Sequence, residues 1–379
     1  MATTFLGSVS GGAFWAGLFF VTAEAYGFSP SRNLALASLM GLCYTVAALN
    51  AGRLARGSAP RAVLFAAFGI WTAAALAPLL LPGSELVLWV AAPLGSAASA
   101  TAFPIVESYL VAGRHGAAMR SAIGWFNVVW TPATAVPLLV MPLLARAGPL
   151  ASLGMAAATC ALSLLGVLAL PVRPGLHASE AATAAVGVEY PWLARSTQWL
   201  LPLSYVMSAT MSPVLPHRLA AVGITAAPSV VAALWMLARF ATLFTLWRTG
   251  FWHGRWTTLA VAGAALAGGM ALVLMAASPP TLVAGLLVFG TGMGITYYTA
   301  LYYSMAVGHA AVEAGGNFEA LIGLGYVIGP LMGIGANLFA EPARAGSITV
   351  GLTWLVVAVG SRGVIRPYLR ARRARTTER

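Results

Sequence analysis

Twelve stretches of roughly 20 mostly apolar residues, parted by short loops, constrain this chain more than any other feature. They read as 8–28, 33–50, 62–81, 85–111, 120–145, 149–170, 193–215, 228–249, 257–277, 280–307, 317–339 and 347–364. Each is long enough to cross the hydrocarbon core of a bilayer as a helix. The chain is 60% hydrophobic and 8% charged, whereas a soluble domain carries about 25% charged residues. No soluble fold has the interior to hide this much apolar sequence, so lipid is its solvent. The expected fold class is an all-α integral membrane protein with twelve transmembrane helices.

One stretch breaks the apolar pattern. Residues 171–192 are small and polar and carry Arg173, His177, Glu180 and Glu189. This divides the chain into a six-helix bundle over 1–170, a linker over 171–192, a second six-helix bundle over 193–365 and a basic tail over 366–379. The halves echo one another: Tyr109, His115 and Pro137 align with Tyr302, His309 and Pro330. The echo implies two pseudo-symmetric bundles, each with a charged loop and a proline-broken helix at the same place.

The 21 basic residues are all arginine, against nine glutamates, with neither Lys nor Asp. With the N-terminus inside, the cytoplasmic loops hold Arg53, Arg56, Arg61, Arg114, Arg120, Arg173, Arg195, Arg248 and Arg255. The tail adds Arg362, Arg366, Arg370, Arg372, Arg373, Arg375 and Arg379, and the opposite side holds Arg32, Arg146, Arg218 and Arg344. The asymmetry places both termini in the cytoplasm of a bacterial cell, with the protein in the inner membrane. The basic tail reads as an anchor to anionic lipid, and no nucleic-acid partner is expected. The first apolar run has no Lys or Arg before it and no clear cleavage site, so it is read as a retained helix. Cys43 and Cys160 both fall inside apolar runs, which argues against a disulfide framework.

The six-plus-six arrangement resembles the major facilitator superfamily. That family carries a Gly-x-Leu-Ala-Asp-Arg-x-Gly-Arg-type loop between its second and third helices. Here the loop runs Gly52, Arg53, Leu54, Ala55, Arg56, Gly57, Ser58, Ala59, Pro60, Arg61. Gly52, Leu54, Ala55 and Arg61 match, while Arg56 replaces the acidic residue. The Gly-Pro-x-x-Gly motif of some members is missing from the fifth helix, and Gly329, Pro330 and Gly333 form a similar pattern in the eleventh. The resemblance implies a solute site near the midplane between two bundles, whose rocking exposes it to each side alternately.

An ionisable group inside a membrane helix is costly and is a functional candidate by default. Arg239 sits mid-run, too deep to snorkel, and must face a cavity or a carboxylate. Glu24, among the aromatics of the first run, reads as a proton-coupling or solute-contacting acid. Asn127, Trp130, Gln198 and Tyr205 add hydrogen-bonding groups to the expected cavity. Tyr298 and Tyr302, from a cluster with Tyr297 and Tyr303, supply an aromatic wall. Glu107 and Glu319 lie near the expected cytoplasmic helix ends. With Arg56 in the acidic position, the family's contact between bundles would be reversed: Arg53 or Arg56 against Glu313 or Glu319, and Arg248 or Arg255 against Glu107. This set forms the expected cytoplasmic gate.

No metal site is predicted, because none of His115, His177, His217, His253 and His309 has a second ligand at i+3 or i+4. A chain without lysine has no Walker-type phosphate loop. No cofactor and no enzymatic activity are expected. The reading is a monomeric secondary transporter of a small polar or anionic solute, working by alternating access with protons as the coupling ion. Two other readings stay open: an exporter of amphipathic, drug-like or lipid-like compounds, and a non-transporting receptor or assembly subunit on the same fold.

Overall fold

The structure, a computed structural model, describes residues 1–114, 116–174, 189–306, 312–339 and 342–377. Among these, twelve long helices follow one another: α1 (Ala2–Ala25), α2 (Pro30–Gly57), α3 (Pro60–Leu80), α4 (Glu85–Val111), α5 (Gly116–Leu144), α6 (Ala151–Leu168), α7 (Tyr190–Met211), α8 (Pro228–Arg248), α9 (Trp256–Leu274), α10 (Pro279–Ala306), α11 (Val312–Phe339) and α12 (Pro342–Thr377). They form an integral membrane protein of two six-helix bundles, α1–α6 and α7–α12. Helices are what a bilayer demands, because each backbone N–H and C=O must find its partner inside the segment.

Eleven of the twelve are apolar enough to span by composition; α7 is the exception. It carries Ser196, Thr197, Ser204, Ser208 and Thr210, all buried. Ser196, Thr197, Ser204 and Thr210 donate to backbone carbonyls, Thr210 to Val206 O at 2.7 Å and to Gly329 O at 2.9 Å. A span that polar is tolerated because it is wrapped by its neighbours and not by lipid.

Three features differ from the sequence expectation. The helices with internal prolines are not broken, since α5 continues through Pro132, Pro137 and Pro142, and α11 through Pro330. Tilted lipid-span helices tolerate proline where neighbours compensate for the lost N–H. The tail expected from 366 onward is helical and continuous with α12, as a run of Arg, Ala and Leu favours. Finally, α1 contains a π-helical segment, Ala13–Gly17. Its flank Gly12 lies against the α5 backbone, where a Cβ would fall 2.1 Å from Thr134 O.

The bundles meet along two seams, α2 against α11 and α5 against α8. The first is lined by glycine. A Cβ at Gly323 would lie 2.5 Å from Thr45 Oγ1, and one at Gly41 would lie 2.5 Å from the Tyr326 carbonyl carbon. Bare backbone at these positions lets helices approach closely, which is how membrane helices gain packing without a hydrophobic driving force. On the side away from the termini, buried Asn33 at the start of α2 closes the seam. Its Oδ1 accepts from Thr22 Oγ1 at 2.6 Å, and its Nδ2 donates to Phe19 O and to Pro213 O, each at 3.2 Å. Pro213 belongs to the 3-10 turn that follows α7, so this amide ties one bundle to the other.

Candidate functional site

Between the bundles lies a cavity of about 130 Å³, with walls from α1, α2, α4 and α5 on one side and α7, α8, α10 and α11 on the other. Arg239, Glu107 and Glu319 all line it. The rest of the wall is mostly aromatic, including Trp15, Phe103, Phe126, Trp130, Tyr297 and Tyr326.

Arg239 stands in the interior of α8 and is only 6% exposed. One of its Nη atoms donates to Tyr205 Oη at 3.1 Å. The guanidinium carbon lies 4.6 Å from the Trp130 ring centre and 4.8 Å from that of Tyr297. Two aromatic rings therefore hold the cation through their quadrupoles. Arg239 has no ion-pair partner among the described residues, and its Nε is buried without a hydrogen bond. Trp130 is itself held in place: its Nε1 donates to Asn127 Oδ1 at 2.9 Å, and Asn127 Nδ2 donates to Ile123 O at 2.9 Å.

Glu319, on α11, is 5% exposed and accepts a hydrogen bond from Tyr44 Oη on α2. That bond crosses from one bundle to the other. Tyr44 also packs edge-on against Trp15 at 5.4 Å and against Tyr326 at 5.6 Å, and Trp15 stacks on Tyr326 at 4.1 Å. Tyr326 in turn meets Tyr205 edge-on at 5.3 Å. A chain of rings thus runs from the hydroxyl on Glu319 to the hydroxyl on Arg239. Glu107, on α4, accepts no hydrogen bond from the described residues, and its carboxylate faces the cavity.

Of the residues expected in the cavity, Arg239, Tyr205 and Trp130 line it, with Asn127 directly behind Trp130. Glu24 and Gln198 are exposed and lie outside it. Glu24 follows Phe19 by five residues and Trp15 by nine, which is about 140° and 180° around a helix turning roughly 100° per residue. It therefore points away from the face those rings present. Arg32, the basic residue near it in sequence, pairs with Glu85. Tyr298 and Tyr302 pack with Tyr303 around Trp252, in the loop between α8 and α9. Only Tyr297 of that cluster reaches the cavity, because Tyr298 and Tyr302, four apart, share a different helix face.

The gate expected from the sequence is divided differently. Arg53, Arg248 and Arg255 are exposed at the end of the bundle that carries the termini, as is Arg56. The Glu313 side chain lies outside the described residues. Glu107 and Glu319, expected to meet those arginines, line the cavity instead. The reason is register: α11 starts at Val312 and not near Asn317, so Glu319 stands two turns inside the helix. Tyr44 and Tyr326 were not singled out by sequence, and Trp15 was read only as a neighbour of Glu24. An aromatic in a membrane helix reads as packing until a partner charge is placed beside it.

Sequence comparison matches the chain to no protein-family model and to no curated protein. Its fold, however, is that of solved transporters. A bacterial homologue of the human drug peptide transporters PepT1 and PepT2 superposes with a TM-score of 0.73 at 13% identity, covering 99% of this chain and 97% of the other. The nucleoside transporter NupG superposes at 0.67 with 12% identity, over 97% of each chain. The human organic anion transporter MFSD10 gives 0.61 at 14% identity, over 93% of this chain and 96% of the other. At these identities the likeness establishes the fold alone, the twelve-helix fold shared by these solved transporters.

Proposed function

We propose that this protein is a proton-coupled secondary transporter that binds a small polar solute at Arg239 and moves it by alternating access. One observation carries the reading. An always-charged guanidinium is buried between two helix bundles without an ion pair among the described residues, in a chamber it shares with two carboxyl groups. A charge in that position is expensive unless something pays for it, and a bound anionic or acceptor group on the solute is the natural compensation. The solved transporters of the same fold are described as carrying nucleosides, peptides or organic anions, which supports a small polar cargo.

Glu319 is the proposed proton site. It is a buried carboxyl in the chamber that holds Arg239, and its hydrogen bond comes from the Tyr44 hydroxyl of the other bundle, so the solute would bind at Arg239 and the proton at Glu319. The bond from Tyr44 spans the seam between bundles, so a change of charge on Glu319 acts directly on the contact that holds this seam.

The test has two stages. A thermal-shift screen of the purified protein against a metabolite library identifies binders, since a ligand at a hundred times its Kd adds about 2.7 kcal/mol of stability. Proteoliposomes holding the protein should then concentrate a stabilising solute when a pH gradient is imposed. A stabilising solute that stays at equilibrium across the membrane would refute transport in favour of a receptor role.

The orientation also follows as a proposal: both termini face the cytoplasm, on the arginine asymmetry of the loops. A reporter active only in the periplasm, fused after Arg379, should be silent. Periplasmic activity at that end would invert the topology.

A further inference from the structure

Two ionisable groups in the central chamber have no ion-pair partner among the described residues. Arg239 is held face-on by Trp130 and Tyr297, so only its edge can meet a ligand, and it has no ion pair among the described residues. Its one hydrogen bond goes to Tyr205, and its buried Nε makes none. Glu107 lines the same chamber, and no described donor reaches its carboxylate. Glu319, the third charged residue of the wall, differs from both because it accepts from Tyr44.

The two unpaired groups stand on opposite bundles, Arg239 on α8 and Glu107 on α4. An anion without a cationic group would satisfy Arg239 and add repulsion at Glu107. A cation without an anionic group would satisfy Glu107 and leave the guanidinium edge unpaired. A molecule bearing both charges satisfies both, and it draws the two bundles toward each other. Between the poles the wall is aromatic, with Phe103, Phe126 and Trp130 among its rings. Such a surface takes a flat apolar body by stacking.

We infer that the solute is a small zwitterion with an aromatic body, its anionic group on the Arg239 edge and its ammonium group on Glu107. The inference rests on the reading of the chamber as a solute site. It also divides the labour of the two carboxylates, with Glu107 reading the ammonium group and Glu319 left to titrate.

The experiment uses the full-length protein in detergent with matched probes: phenylalanine, tryptophan and glycyl-phenylalanine, each free, with its amine acetylated, and with its carboxylate amidated. At least one free zwitterion should raise the melting temperature in a saturable way, and its two blocked forms should not. In Glu107→Gln, the acetylated form should gain at least tenfold relative to the free zwitterion, and in Arg239→Gln the amidated form should gain likewise. Absence of any shift by all three free probes overturns the inference, as does equal stabilisation by a blocked form. The wild-type comparison stands even if a variant does not fold. Proton-driven uptake of a purely anionic or purely cationic probe would keep the transport reading and sink this one. A zwitterion that binds as described and is not carried would do the reverse.

Discussion

Replacing Arg239 with glutamine is expected to weaken solute binding severely while leaving the protein folded. Removing one partner of a buried charge contact costs about 2–5 kcal/mol, which corresponds to a roughly 30- to 4,000-fold weaker Kd. The fold should survive because the arginine forms no ion pair among the described residues. What is lost on the protein side is the Tyr205 bond at 3.1 Å and the contacts with Trp130 and Tyr297. Arg239→Lys separates charge from shape. A lysine keeps the charge but is a compact ammonium without the planar fork, so it should recover only part of the affinity. The measurement is the ligand-induced thermal shift set beside the melting temperature of each variant alone. Full binding by the lysine variant would show that the planar edge is irrelevant, and collapse of the glutamine variant would make Arg239 a structural residue.

The second large effect is expected at Glu319. Glutamine there keeps the shape and still accepts from Tyr44, but it cannot take a proton. One proton moving down a gradient of one pH unit releases about 1.4 kcal/mol, enough to sustain a tenfold solute gradient. The native protein should therefore accumulate its solute about tenfold under that drive in a one-to-one exchange of gradients, and Glu319→Gln should accumulate none. Exchange of labelled for unlabelled solute, which needs no net proton movement, should persist in the variant. A variant that still concentrates solute when only the pH differs would remove Glu319 from coupling and return attention to Glu107, the other carboxylate of the chamber.

The sequence made the scaffold legible because lipid imposes a length rule that composition alone can reveal. Twelve apolar runs became twelve helices, and even α7 was placed, although its serines and threonines make it the least apolar of the set. Arg239 was legible for the same reason, since a guanidinium in the middle of an apolar run has nowhere to go but a cavity. The carboxylates were harder. Whether Glu319 stands at a loop or in a chamber depends on where α11 begins, and five residues of error there move it by more than a full turn. Glu24 shows the limit of proximity in sequence: nearness to Trp15 and Phe19 along the chain says nothing until the helix angle is counted. Tyr44 could not be recognised at all, because its role exists only through the packing of α2 on α11, with 275 residues between the bonded partners.

The glycine-lined seam has a mechanical meaning for the alternating access proposed above. Where Gly323 and Gly41 face the opposite helix, main chain lies against main chain and side chain, with no large knob of its own seated in a hole. Helices joined in that manner can shear past one another without lifting interlocked side chains out of register. Adhesion along such a track is strong in contact area yet weak in corrugation. On the proposed function, the bundles could stay in touch while they tilt, with no main chain exposed to lipid.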